Sequence, residues 1–186
     1  MEQNTQPSYW SSVVVGASIV AILSSIAVYG LLYNIANAEP SMSILMKAGL
    51  MIPIGCLFGA IGGFISNRQY AKSFEITYPL GRGALIGFFT GLVAAVFSTL
   101  ISLIWTNLID PMLMENFTNN MISAMELVEM PEAQREQSIN DIMADFENKN
   151  SMGSILSDLG FSVAALGIVN AISGIIGAKV FASEKE

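Results

Sequence analysis

Residues 83–102 read GALIGFFTGLVAAVFSTLIS, and residues 55–66 read GCLFGAIGGFIS. Neither stretch contains a charge. One carries Gly83, Gly87 and Gly91, the other Gly55, Gly59 and Gly63, each set at four-residue intervals. A repeat of four puts all three glycines on one face of a helix. In a helix surrounded by water each would cost about 1 kcal/mol relative to Ala. In a bilayer the same small-residue face lets another helix approach closely and pack by van der Waals contact. The ladders therefore predict glycine-zipper packing in a bundle of membrane helices, its faces pairing with each other or with a second copy. They specify no chemistry.

Composition agrees. Of 186 residues, 53% are hydrophobic and 12% charged, against about 25% charged in an ordinary soluble domain. Four runs are long and apolar enough to cross a bilayer, each needing roughly 20 residues. They cover about 11–35, 48–66, 83–108 and 159–180, in a single membrane domain, 1–186. Tyr9, Trp10, Tyr29, Tyr33 and Trp105 flank them as interfacial aromatics do. Small residues recur in the outer spans too: Ala17, Ala21 and Ser25 in the first; Asn170, Gly174 and Ala178 in the fourth. Ala36-Asn37-Ala38 resembles a signal-peptidase site, but the run before it is too long and lacks a basic start.

Orientation follows from the cations. Arg68, Lys72 and Arg82 join spans two and three, and Lys179 and Lys185 lie near the C-terminus. Lys47, Arg135 and Lys149 fall on the opposite side. The positive-inside rule then predicts both termini in the cytoplasm.

The net charge of −7 is concentrated. Asp110 to Lys149 holds nine acids against Arg135 and Lys149, which accounts for the whole imbalance. Asp110-Pro111 reads as a helix start, with Asp capping and Pro at the first position. Leu113, Phe117, Met121, Met125 and Val128 follow at helical spacing. Pro131 opens a second helix with Ile139, Ile142, Met143 and Phe146 as its apolar stripe. Residues 109–152 are thus an amphipathic helical hairpin outside the cytoplasm. Its apolar faces pack on each other or on the bundle, or serve as a docking surface. Phe117, Met121, Met125, Ile139, Met143 and Phe146 are the candidate partner-binding residues, the methionines supplying an adaptable surface.

Several chemistries are excluded or unsupported. There is no His, which rules out His-ligated metals and His general bases. The lone Cys56 reads as a small core residue. The acids are spread along helices, with no calcium loop. The eight Lys and Arg form no basic patch for nucleic acid. Ionisable residues mark membrane transport paths, and none falls in mid-span. Asp158 reads as an interfacial residue at the start of the fourth helix. Asn170, near mid-membrane, needs a hydrogen-bond partner, which span three could supply. Gly81 and Gly83 beside Arg82 could contact a lipid head group, or simply form a flexible helix entry.

The stretch Ser73-Phe74-Glu75-Ile76-Thr77-Tyr78, the glycines from Gly81 to Gly91, and Asn107-Leu108-Ile109-Asp110-Pro111 resemble a family of small four-span membrane proteins, the domain-of-unknown-function 4199 type, common in Bacteroidetes-type bacteria. The resemblance covers Ser73 to the C-terminus. It implies a bacterial inner-membrane protein with no assigned activity or cofactor. The reading is an all-α, polytopic, non-enzymatic membrane protein. It acts as a structural or accessory subunit of a membrane assembly. Its partners are membrane lipid and a second copy or other subunits, and it needs no cofactor. The alternative is a small transporter or channel.

Overall fold

A computed structural model describes residues 7–149 and 151–182; Lys185, used in the orientation argument, lies outside them. Among the described residues the chain is helical, without a strand. The helices are α1 (Trp10–Ala36), α2 (Met42–Gly49), α3 (Met51–Phe74), α4 (Leu80–Ile104), α5 (Leu113–Glu126), α6 (Glu132–Asn148) and α7 (Met152–Phe181). A π-helical turn, Trp105–Ile109, extends α4. Four helical stretches are long and apolar enough to cross a membrane: Trp10–Ala36, Met42–Phe74, Leu80–Ile109 and Met152–Phe181.

The boundaries have local causes, and several differ from the sequence reading. The second apolar stretch starts earlier than residue 48 and is broken at Leu50. Pro53 has no N–H to offer the Gly49 carbonyl, so a new helix must begin just before it. The stretch also runs on past Ser66, which buries Asn67, Tyr70 and Ala71 inside α3. It stops where Glu75 takes a left-handed conformation, φ 49°, which terminates a helix. Asp110 does not cap α5. The helix begins at Leu113, with Met112 in the cap position and no side-chain cap. The Asp110 carboxylate is engaged elsewhere, accepting the Tyr33 hydroxyl at 2.7 Å. α6 does begin after Pro131, with Glu132 in its first turn. α7 starts about two turns earlier than expected, because Ser151 Oγ accepts the Ser154 N–H at 3.1 Å and so caps the helix. Asp158 is therefore exposed inside α7 rather than at its start. Cys56 is exposed, not buried; it shares a helix face with exposed Ile52.

The chain divides into two compact units. One comprises Met1–Leu23, Cys56–Ser98 and Phe161–Glu186; the other comprises Ser24–Gly55 and Thr99–Gly160. In the first, segments of α1, α3, α4 and α7 pack around Val13, Tyr70, Tyr78, Ile86 and Ala178, with Ala17, Val20 and Ala94 alongside. In the second, α2 and α6 both pack on α5. Its core joins Tyr29, Leu32 and Leu113 with Ile35, Ile44 and Ala124.

Candidate functional site

In the first unit the glycines set the distance between helices. A methyl group on Gly87 would run into the Asn170 carbonyl, one on Gly91 into that of Leu166, and one on Gly83 into Ala178. A methyl on Gly63 would run into the Asn170 carbonyl and the Gly174 nitrogen, and one on Gly59 into a Leu166 methyl. Gly174 faces the Gly83 carbonyl. Both ladders thus meet α7, not each other. Gly55 belongs to neither contact: a methyl there would touch nothing within 4 Å. Two glycines outside the fourfold pattern, Gly16 and Gly62, are equally confined, Gly16 by Ser66 and Gly62 by Asn170 and Val20.

This close approach encloses polar groups. Asn170 Oδ1 accepts the Gly63 N–H at 2.6 Å, and its Nδ2 donates to the Leu166 carbonyl at 2.8 Å. Its partner across the bundle is therefore on the second apolar stretch, not the third, because Gly63 brings that backbone within reach. Asn67 Nδ2 donates to the carbonyls of Gly63 at 2.7 Å and Gly83 at 3.1 Å. Its Oδ1 accepts the Tyr78 hydroxyl at 2.9 Å. Both Asn67 donors and its acceptor are satisfied, as burial requires. The Thr90 hydroxyl lies 2.8 Å from both Ser66 Oγ and the Ile86 carbonyl. Tyr70 donates to the Pro7 carbonyl at 2.7 Å and accepts from Arg82 Nη2 at 2.6 Å. The Arg82 guanidinium also lies over the rings of Tyr9 and Tyr70, 5.8 and 5.3 Å from their centroids. Burial pushes the Tyr78 hydroxyl well above the ordinary tyrosine pKa; Tyr70 adds to this and Arg82 opposes it. The sequence reading ended the second span at Ser66, leaving Asn67 outside it, named Tyr78 only within the family resemblance, and gave Ser66 and Thr90 no polar role. A polar residue within one turn of a glycine ladder was the available signal.

In the second unit, Asn120 reaches from α5 to the carbonyls of Ile35, Ala36 and Ala38 at 2.9, 2.9 and 3.0 Å. Its two N–H groups share these three carbonyls at the end of α1, of which that of Ile35 also accepts the Ala38 N–H at 3.2 Å, and they tie α5 there. The π turn, closed by the Asp110 N–H on the Trp105 carbonyl at 2.9 Å, sets Trp105 against Tyr29 and Tyr33. Between α5 and α6 lies a cavity of about 240 Å³, lined by Met114, Phe117, Thr118, Met121, Ile142, Asp145, Phe146 and Lys149. Three of the candidate partner-binding residues, Phe117, Met121 and Phe146, meet there. Met125 and Ile139 are half-buried elsewhere on the hairpin, and Met143 is 45% exposed. Lys149 Nζ donates to the Met114 sulfur at 3.2 Å, a weak acceptor. Burial lowers its pKa, against the attraction of Asp158. No group of three or more metal-ligating side chains occurs among the described residues.

Four helical stretches long and apolar enough to cross a membrane fit a multi-pass membrane protein. The chain belongs to the family described as Protein of unknown function (DUF4199), whose model matches residues 9–181. Neither a curated protein nor a solved structure matches it.

Proposed function

We propose that this is a non-catalytic protein of the bacterial inner membrane, an accessory subunit that presents the α5–α6 hairpin to a partner. Both termini lie in the cytoplasm and α5–α6 on the other side. The observation that carries the reading is the incomplete burial of the hairpin's apolar residues. Leu127 is 60% exposed, Met143 45% and Phe146 38%, on a segment otherwise rich in acids. Apolar side chains left in water beside a polar rim mark interaction surfaces. The partner is another membrane subunit or a second copy of the chain.

A photo-crosslinking residue at Met143 or Phe146, activated in native membranes, tests this. A discrete adduct with one other protein, or with a second copy, is expected at both positions. Adducts only to the chain itself or to lipid would defeat the proposal.

A second reading, a small transporter, draws on Ser12, Ser66, Thr90 and Asn170. These are one polar side chain from each of α1, α3, α4 and α7, all at most 1% exposed. Cysteines at Thr90 and Asn170 that react with a membrane-impermeant thiol reagent would favour it. Full protection would remove it.

A further inference from the structure

We propose that the cavity between α5 and α6 binds a single-chain monocarboxylate, its alkyl chain among Met114, Phe117, Met121, Ile142 and Phe146 and its carboxylate on Lys149. This deepens the reading of the hairpin as a recognition element and rests on it, but needs no protein partner. The size comes from the cavity. About 240 Å³ exceeds the ~150 Å³ that holds benzene and falls below the ~300 Å³ where drug-sized pockets begin. By that proportion it takes roughly ten heavy atoms, the size of octanoate. A longer chain would emerge past Phe146, which is 38% exposed.

The charge comes from Lys149. An ammonium has three donors, and the hydrogen bond it makes here goes to a thioether. A half-buried cation beside apolar walls gains most from an anionic acceptor. Thr118, 7% exposed, adds a hydroxyl to the same lining. Asp145 also lines the cavity but is exposed, so water already satisfies it and it calls for no cationic ligand. It does restrict the anion. Nine acids between Asp110 and Lys149 penalise a second negative charge, which favours a carboxylate over a phosphate.

The test uses the full chain in phosphatidylcholine nanodiscs, with carboxyl-¹³C octanoate followed by NMR and empty nanodiscs as reference. Saturable binding above the reference is expected. Lys149→Met should weaken it about tenfold or more, Lys149→Arg should retain most of it, and Met121→Trp should abolish it by filling the cavity. Arg135→Met makes the same charge change outside the lining and should alter affinity less than about twofold. Octylamine and octyl phosphate should each bind at least about tenfold more weakly. Circular dichroism melts of each variant separate lost binding from lost fold. Should Lys149→Met fail to fold, Met121→Trp and the ligand series still decide. Partitioning equal to empty nanodiscs, undiminished binding in folded Lys149→Met or Met121→Trp, or equal affinity for either of the other two amphiphiles would overturn the proposal. Because the readout is a small molecule, its failure is distinct from a failure to find protein adducts at Met143.

Discussion

Tyr78 stands in the short connection between α3 and α4, its ring buried and its hydroxyl 2.9 Å from Asn67 Oδ1. Burial raises its pKa from the ordinary 10.0, so the fold favours the neutral phenol. The unfolded chain loses that proton near pH 10 and the folded chain only above it. The contribution to stability is therefore complete below pH 10 and declines as the pH climbs towards the folded value. Tyr78→Phe should destabilise the protein by about 1–3 kcal/mol at pH 8, by stripping a buried amide oxygen of its donor. It should also flatten the loss of melting temperature between pH 9.5 and 11; thermal melts in mild detergent check both. Asn120→Ala should cost about 1–2 kcal/mol and accelerate amide exchange at the end of α1 and in α5. A mutant with unchanged exchange there would show that the carbonyls of Ile35, Ala36 and Ala38 do not depend on it. Asn170 was legible as a residue needing a partner, since a mid-membrane amide cannot rely on water. Which backbone would come near was not legible, because that depends on the rotation of α3 about its axis.

At the scale of elements, the glycine ladders make a contrast that sequence spacing cannot. Gly87 and Gly55 belong to two ladders of identical four-residue spacing. Yet a methyl on Gly87 meets the Asn170 carbonyl, and one on Gly55 meets open space. Gly87→Ala should destabilise by roughly 1–3 kcal/mol, because the obstacle is backbone and cannot rotate away. Gly55→Ala should be neutral or stabilising by up to about 1 kcal/mol. Equal detergent-melting shifts for the two would contradict the geometry. The four long apolar helices were legible, since an uninterrupted apolar run in a bilayer leaves the backbone few alternatives to a helix; α2, which lies almost wholly ahead of the expected second span, was not. Helix ends were less so. Asp110-Pro111 has every local mark of a helix start, but the Tyr33 hydroxyl attracts the carboxylate away from the free amides. The break at Leu50 was in principle readable from Pro53, whose missing donor falls four residues after Gly49.

For the whole molecule, the proposed topology puts the α3–α4 connection and the hairpin on opposite sides. In a Cys56→Ser background, single cysteines at Glu129 and Glu136 should react with an impermeant maleimide in intact spheroplasts. One at Lys72 should react only after lysis. The reverse pattern would invert the orientation and with it the side from which a hairpin ligand arrives. The net charge was enough to place the acids on one segment, but not to show that α5 and α6 leave a cavity between them, which depends on side-chain packing.

The shared dependence of both ladders on α7 also bears on how the chain is made. α3 and α4 leave the ribosome before the helix that fills their glycine faces. About 70 residues separate Ile109 from Phe181, or roughly 4–14 s of synthesis at 5–20 residues per second. During that interval two grooved helices stand in the bilayer without their permanent neighbour. Until α7 is made, the faces of Gly63, Gly83, Gly87 and Gly91 lack the backbone that they meet in the finished fold.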